Sequence, residues 1–386
     1  MAPHQFASEI GEADDPIALQ EYFFEQDWTD GLPIVPPTPE RVGMFLDEMG
    51  LQPNDVLCVI PTRNRALTAE KVAINTVMAG CRPDYMPVVV AIVQAMAVPA
   101  YNFHGSITST GGAAPFVVVN GPVRDQLGMN SGVNVLGPGN RANATIGRAV
   151  RLVLMNVAGA RPGVLDKSTL GHAGKYSYCI AEAEAASPWE PLHVERGFNA
   201  MASTVTVFAG EAPHGIQNHD SGEAEELLYC MAREMASIGA FTFGQSALIL
   251  APEHAAIIGQ SGWSKAEVKS FLFEHATQPL SELWRTGKIS AGYADRLIEP
   301  GIRDTLREAG YSDADADRYR AVARDIAAGE ECLLHRGLSP DDILLVVAGG
   351  AAGGHSAFIP SWSRARSSLF QTKAIEQTCT LCEVAF

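Results

Sequence analysis

Short apolar runs rich in β-branched residues alternate along this chain with longer segments of helical periodicity, and this alternation limits the possible folds more than any other sequence feature. Such runs predict buried strands, and strands that alternate with helices are typical of α/β proteins. We therefore predict an α/β fold with mixed or largely parallel sheets and flanking helices. The predicted strands are 55–61, 115–120, 204–209, 246–251 and 342–348. The clearest helices are 68–80, 84–98, 143–157, 222–240 and 264–276.

The length of 386 residues predicts two or three domains. We expect an N-terminal α/β region over 1–125, which includes a proline-rich extended arm, and a central α/β region over 126–263. The third region, 264–386, should be mostly helical up to about residue 335 and then continue into a strand, a glycine-rich loop and a C-terminal tail.

The charge balance disfavours two classes of partner. The chain carries 28 basic and 44 acidic residues, a net charge of −16, so it should repel nucleic-acid phosphates and anionic lipid surfaces. The most apolar run, 86–100, contains two prolines and is too short to span a bilayer. No signal peptide is visible, and the seven scattered cysteines argue against a disulfide framework, so we expect a cytoplasmic protein.

Four segments rich in glycine and polar residues flank the predicted strands: 102–114, 129–148, 210–223 and 349–358. Ligands of open α/β sheets bind beyond the carboxyl ends of strands. Histidines next to glycine in such loops can point at a ligand, because the surrounding backbone is bare. We predict that such imidazoles converge on one pocket. The histidines next to glycine are His104, His172, His214 and His355.

The densest local group is His214, His219 and Asp220. These side chains are candidate ligands of a divalent metal ion, or candidate general acid–base groups. Their spacing matches no standard metal motif. A third interpretation is structural, in which Asp220 caps the helix that follows. The sequence leaves these alternatives open, and His104 is a further catalytic candidate.

Other residues are candidates for substrate binding. Arg141 and Asn143 lie at a predicted helix start, where free N–H groups and a guanidinium suit an anion. Lys175 lies in a non-periodic stretch rich in ionisable groups. No phosphate-binding P-loop or dinucleotide fingerprint is present, so we expect no nucleotide cofactor. The glycine-rich loop after the last predicted strand resembles an anion cradle, through Gly350, Gly354, His355 and Ser356.

Cysteines provide an alternative chemistry. Cys81 follows a predicted helix end, and the neighbouring Arg82 would lower its pKa and make it a candidate nucleophile. Cys379 and Cys382 form a C-x-x-C pair near the chain end. A mobile tail could deliver this pair to Cys81, which would make the chain a redox protein.

Several strings carry a resemblance to a known group: DWTDGLPIVPPTPERV, AEKVAINTVMAGCRPDYMPVV, NSGVNVLGPGNRANATIGRA, PEHAAIIGQSGWSKAEV and VVAGGAAGGHSAFIPSW. Together they resemble bacterial proteins related to the UGSC-like (seleno)protein group. The resemblance implies a bacterial origin and thiol or redox-linked chemistry on a small molecule. The Sec/Cys-Gly-Ser-Cys motif that names the group is absent, so no catalytic residue is assigned by it.

From these observations we predict an enzyme that acts on a small anionic substrate at a carbon–heteroatom bond. The reaction class stays open among lyase, hydrolase and reductase, with or without a divalent metal. The alternatives are the cysteine redox protein and a non-catalytic subunit of a complex. The arm and the tail suit contacts in a homo-oligomer or with a partner subunit.

Overall fold

A computed structural model describes residues 4–13, 15–60, 62, 64–239, 241–242, 244–288, 301–362 and 368–376. The strands in these ranges are β1 Val56–Ile60, β2 Arg65–Thr68, β3 Ala114–Asn120, β4 Cys179–Ala181, β5 Thr204–Gly210, β6 His214–Gln217, β7 Ser246–Leu250, β8 Thr277–Pro279, β9 Leu333–His335, β10 Ile343–Val347, β11 His355–Ile359 and β12 Gln371–Ala374. The helices are α1 Pro16–Glu25, α2 Pro39–Met49, α3 Ala69–Met78, α4 Met86–Ala97, α5 Phe103–Thr108, α6 Val123–Gln126, α7 Arg141–Asn156, α8 Leu192–Glu195, α9 Ala224–Ser237, α10 Pro252–Gln260, α11 Lys265–His275, α12 Leu280–Arg285, α13 Ile302–Glu308 and α14 Asp313–Ala328.

Two four-stranded sheets form the centre of the molecule. The first sheet has the order β12-β5-β3-β4, and the second has the order β10-β7-β11-β6. In each sheet one edge pair is parallel, β3 with β4 and β7 with β10, and the other pairs are antiparallel. The sheets are therefore mixed, and the largely parallel alternative is not what the chain adopts. Two short antiparallel pairs, β1-β2 and β8-β9, lie outside them.

Successive side chains of a strand point to opposite faces of its sheet, so each sheet packs against a different layer on each face. The molecule therefore has four layers. Phe116 and Val118 of the first sheet share a core with Ile249 and Val346 of the second sheet. On the outer face of the first sheet, residues such as Val117 pack against α3, α4 and α7. On the outer face of the second sheet, β7, β10 and β11 pack against α9, α10 and α11. The order of layers is helix, sheet, sheet, helix.

The two sheets repeat one topology. In each, a first strand connects through helices to a parallel edge strand, and the next strand returns antiparallel on the other side of the first. The strand that follows then joins the other sheet: β6 pairs with β11, and β12 pairs with β5. After β3 the chain reads PVRDQLGMNSG, and after β7 it reads PEHAAIIGQSG, with proline, serine and glycine in register. Topology and sequence together indicate two copies of one unit with exchanged last strands.

The remaining segments pack around this centre. The extended arm lies on α3 and α7, where Arg148 donates to the Asp30 carboxylate at 2.8 Å and Val35 N donates to Met78 O at 3.1 Å. Helices α12 to α14 form a separate small core with β9, which confirms the mostly helical character of the described part of 264–335. In the ranges that the structure describes, no single helix is long and apolar enough to cross a membrane; one bent pair, Pro83–Ala97 with Pro99–Thr108, meets that length and composition test jointly.

The predicted strands are all present, as β1, β3, β5, β7 and β10. Two segments predicted as glycine-rich loops are instead short strands, β6 and β11. The three predicted regions do not coincide with the sheets, since β3, β5 and β12 of the first sheet come from all three of them. The division into domains stays a prediction.

Candidate functional site

The carboxyl ends of β6, β7 and β10 meet at one edge of the second sheet. β7 and β10 run parallel, and β11 runs antiparallel to β7 and β6, so the start of β11 lies beside these three ends. The glycine-rich loop 348–354 connects β10 to β11 across this edge. This is the position at which α/β proteins bind ligands.

His219 and His355 come together at this edge. His355 is the first residue of β11 and pairs with Gln217, the last residue of β6, and His219 follows two residues later. The two ring centroids are 5.0 Å apart, and the ring planes are inclined by 80°. Both residues are exposed. Of the four glycine-flanked histidines predicted to converge, only His355 takes part in this pair, and its partner His219 has no glycine neighbour.

Glu253 holds the loop beneath the two rings. Its Oε2 accepts from Gly353 N at 2.7 Å and from Gly354 N at 2.8 Å. These two amide bonds lower the pKa of the Glu253 carboxyl. Gly354 O in turn accepts from Asn218 N at 2.8 Å. The amide of Gly354, predicted to bind a substrate anion, therefore binds a carboxylate of the protein itself.

His254 is buried behind the pair and bonded at both ring nitrogens. Nε2 lies 3.0 Å from Asn218 O, and Nδ1 lies 2.7 Å from Ser356 Oγ. A carbonyl oxygen only accepts, so Nε2 carries the proton and the Ser356 hydroxyl donates to Nδ1. Burial lowers the pKa of His254, and the nearby charges of His355 and His219 act in the same direction. Ser356, predicted to contact substrate, is buried and bonded to this ring instead.

The loop also contacts the second glycine-rich segment. Gly349 N donates to Ser131 O at 2.9 Å. A Cβ added to Gly350 would lie 3.3 Å from a methyl carbon of Val133. Gly350 therefore allows the two loops to pack closely, and three of the four predicted segments meet at this edge.

The predicted group of His214, His219 and Asp220 is not assembled. His214 begins β6 and pairs with Phe358, whereas His219 lies beyond the opposite end of that strand. At about 3.3 Å per residue, β6 separates the two histidines by roughly 10 Å or more. Asp220 is exposed, and α9 begins only at Ala224 without a side-chain cap. Across the described part of the chain, no group of three or more His, Cys, Asp or Glu is placed to hold a metal ion.

His104 lies at the opposite edge. It belongs to the short helix α5, and a Cβ at the adjacent Gly105 would touch the Trp362 ring. Trp362 follows the far end of β11, where its N donates to Ala209 O at 3.0 Å. The length of β11, about 13 Å at 3.3 Å per residue, separates it from His355. His104 is thus not part of the His219–His355 site.

Arg141 and Asn143 bind the protein's own backbone. Arg141 donates through Nε and Nη2 to Gly80 O, at 3.1 and 3.0 Å. Asn143 accepts from Asn130 N at 2.9 Å and donates to Asn130 O at 2.8 Å. These bonds fix the start of α7 and the loop before it. The predicted anion contact by these two side chains is replaced by this structural role.

Lys175 pairs with Asp166, at 2.7 Å between Nζ and Oδ2. Burial lowers the pKa of Lys175, while its bond to Asp166 opposes this shift. Burial would raise the pKa of Asp166, but bonds from Lys175 and Ser168 outweigh it and lower this pKa to about 2. The lysine predicted as a pocket residue is therefore the partner of a buried carboxylate.

The cysteines do not show the predicted activation. Cys81 is buried, and burial raises the pKa of its thiol to about 12. Arg82, expected to lower that pKa, is paired with Asp84. A thiolate at Cys81 is thus disfavoured near neutral pH, contrary to the expectation from its neighbour. Cys379 and Cys382 lie outside the described residues.

Glu253 and His254 are the site residues that sequence reasoning missed. A signal was available, because two ionisable residues follow Pro252 directly after a predicted strand, beyond its carboxyl end. Only glycine-rich segments were considered as candidates near the strands. The general rule on ligand position applies to this helix start as well as to loops.

Comparison with known proteins adds no relative: no protein-family model, curated protein or solved structure matches this chain. The resemblance to the UGSC-like group stays a prediction. What the chain does is therefore argued from the geometry around His219 and His355.

Proposed function

We propose that this protein is an enzyme that acts on a small anionic molecule, with His219 and His355 as its acid–base pair. The observation that carries the proposal is the contact of these two exposed rings, 5.0 Å between centroids, where the carboxyl ends of three strands meet. Imidazole is the side chain best suited to proton transfer near neutral pH.

The tautomer of His355 supports a role as base. Its Nδ1 is hydrogen-bonded to Gly353 O, and a carbonyl only accepts, so Nδ1 carries the proton. The lone pair then lies on Nε2, on the far side of the ring from this backbone contact. His219 lies with its Nδ1 edge against Gly354. Both rings thus turn one edge to the loop and leave Nε2 for a ligand.

Two imidazoles supply what cleavage of a carbon–heteroatom bond requires. In a lyase step, His355 Nε2 takes a proton from carbon, the carbon–heteroatom bond breaks, and the departing heteroatom takes a proton from the His219 imidazolium. In a hydrolytic step, His355 takes the proton from water instead. General acid–base groups of this kind contribute roughly 10²- to 10⁴-fold to rates.

A protonated imidazole also suits an anionic substrate. Charge-assisted bonds to carboxylate or phosphate are stronger than neutral ones. The other predicted anion contacts, Arg141 and the Gly354 amide, already bind groups of the protein. His219, the protonated ring of the pair, therefore provides the anion contact in this proposal.

Free cysteines support a reducing compartment, and we assign the protein to the cytoplasm on that ground. The cysteines in the described ranges, none of them in a disulfide, are Cys58, Cys81, Cys179, Cys230 and Cys332.

Proton transfer can be tested before the substrate is known. We would incubate the protein in D₂O with malate, lactate, succinate and aspartate, and follow exchange of their C–H protons by NMR. We expect exchange with the wild type, a loss of about 100-fold or more in H355Q and H219Q, and no loss in the control H214Q. His214 is an exposed histidine of the neighbouring strand that makes no contact with the pair.

The ring signals provide a second measurement. In protein with labelled histidine, phosphate or succinate should shift the signals of His219 and His355 together and leave that of His214 in place. A non-catalytic subunit predicts neither exchange nor a joint shift. If no probe exchanges and the two rings respond independently, the proposed function is wrong.

A further inference from the structure

A second polar cluster lies at the carboxyl end of the β3–β4 pair, at the position in the first unit that the histidine site has in the second. Asn120 ends β3, and Glu182 follows β4; both are almost fully buried. The Asn120 amide nitrogen donates to Glu182 Oε2, and also to Glu184 Oε1 at 3.1 Å. The proposed function does not use these residues.

Three polar atoms in this cluster lack a hydrogen-bond partner among the described residues. They are Asn120 Oδ1, His193 Nδ1 and Thr204 Oγ1. All three residues are 0% exposed. Buried polar groups in folded proteins are nearly always bonded to protein or to ordered water, so three such atoms call for a common explanation.

The three atoms belong to one place. Asn120 and Thr204 are directly paired across β3 and β5, and their side chains share the inner face of the first sheet. Residues paired in this way have Cβ atoms roughly 5 Å apart. His193 Nδ1 lies 3.9 Å from Glu184 Oε1, the same oxygen that the Asn120 amide binds.

The hydrogen-bonding chemistry of the three atoms limits which molecule can bind between them. His193 Nε2 lies 3.2 Å from Ala200 O and so carries the ring proton, which leaves Nδ1 as an acceptor. Asn120 Oδ1 also accepts, whereas the Thr204 hydroxyl can donate. The occupant must therefore donate two hydrogen bonds and accept one, which water does and an anion cannot.

The charges around the cluster do not demand a cation. Glu184 is paired with Arg124, at 3.0 Å between Oε2 and Nη2. Burial raises the pKa of Glu182, although the charge of Lys265 opposes this shift. Glu184 is thus matched by Arg124, and burial favours the neutral form of Glu182, so a neutral donor suits the cluster.

We propose that Asn120, His193 and Thr204 form a buried water-binding site between β3, β5 and the segment 192–203. The bound water links the His193 ring to the Asn120 amide. Through that amide it joins the Glu182 and Glu184 carboxyls in one hydrogen-bonded network.

The sign of one substitution tests this proposal. If the Thr204 hydroxyl were truly without a partner, the nearly isosteric T204V would raise Tm, because it removes a buried unsatisfied group. If the hydroxyl donates to a bound water, T204V removes that bond and lowers Tm. We expect a decrease of about 1–3 °C.

Thr206 provides the matched control. It lies two residues along on the same strand and face, and its Oγ1 lies 2.9 Å from Thr372 Oγ1. T206V should lower Tm by a similar amount, because it also removes a buried hydroxyl that has a hydrogen-bond partner. A high-resolution crystal structure should show one solvent peak within about 3.2 Å of the three atoms. A rise of Tm in T204V, or no solvent peak there in the wild type, overturns the proposal.

Discussion

At the scale of single residues, the site depends on a glycine. Gly354 has a φ of +57°, in the left-handed region that other residues rarely adopt. A Cβ there would overlap the His219 ring and would lie 2.7 Å from Asn218 O. The absence of a side chain at 354 is thus what allows the His219 ring to lie against the loop, next to His355.

G354A should therefore disrupt both the loop and the histidine pair. Left-handed backbone costs about 1–2 kcal/mol in a residue with a Cβ, and the overlap adds about 1–3 kcal/mol. We expect the free energy of unfolding in urea to fall by about 2 kcal/mol or more, together with loss of the joint shift of the two ring signals.

Gly215 is the control for that substitution. It lies on β6, and a Cβ there would meet no atom within 4 Å. G215A should change stability by no more than about 0.5 kcal/mol. If G354A is as stable as G215A, a Cβ at position 354 does not overlap the His219 ring, and the proposed arrangement of the two histidines is wrong.

The residue scale also shows what sequence could and could not predict. Glycine neighbours drew attention to His355, whose ring bonds Gly353 O, but not to its partner His219. Lys175 and Arg141 were predicted to bind substrate, and in the structure they bond to Asp166 and to Gly80 O respectively. Such partners are set by tertiary packing, which no local pattern encodes.

At the scale of elements, the strands that the sequence predicts are those rich in buried apolar residues. β7 and β10 are buried along their whole length and so read as uninterrupted apolar runs. β6 has the sequence HGIQ with a single buried residue, so it carries too little apolar signal. The helix predicted over 264–276 is present as α11, and Ser264 and Glu267 form a capping box at its start, an interaction that is local in sequence.

One buried carboxyl connects the helical segment to the second sheet. Asp342, just before β10, accepts from Tyr311 Oη at 2.8 Å and from Leu338 N at 2.7 Å. Burial raises its pKa to about 6, against the opposing effect of these bonds. The folded protein therefore holds a proton on Asp342 more tightly than the unfolded chain does.

This raised pKa predicts a pH dependence of stability. The contribution of Asp342 is fully present below its ordinary pKa of 3.8 and is lost as pH rises through about 6. Over that range, the wild type should lose on the order of 1–3 kcal/mol relative to D342N, whose side chain stays neutral.

Urea unfolding at a series of pH values measures this difference. D317N, which removes an exposed carboxyl of α14, shows how much of the measured difference comes from the change in net charge alone. A constant difference for D342N would show that Asp342 keeps its ordinary pKa in the folded protein.

At the scale of the whole molecule, the exchange of β6 and β12 between the two sheets could not be predicted from the sequence. The alternation of strands and helices predicted an α/β fold, but not that β5 leads into the second sheet and β11 into the first. The two PxxxxxxxxSG matches are the only local trace of the repeat that we find, and their spacing of 130 residues is far longer than that of a solenoid. Strand pairing over such distances depends on the packing of both sheets together.

The exchanged strands predict how the chain behaves when it is divided. A cut between Ser221 and Gly222, in the segment before α9, separates the two units. Each fragment then carries the edge strand of the other's sheet. An unpaired sheet edge promotes aggregation. We therefore expect 1–221 and 222–386 to be insoluble when expressed singly and to form a soluble 1:1 complex when co-expressed. If 1–221 and 222–386 each fold alone and remain separate when mixed, the two sheets are independent and the pairings of β6 with β11 and β12 with β5 do not hold them together.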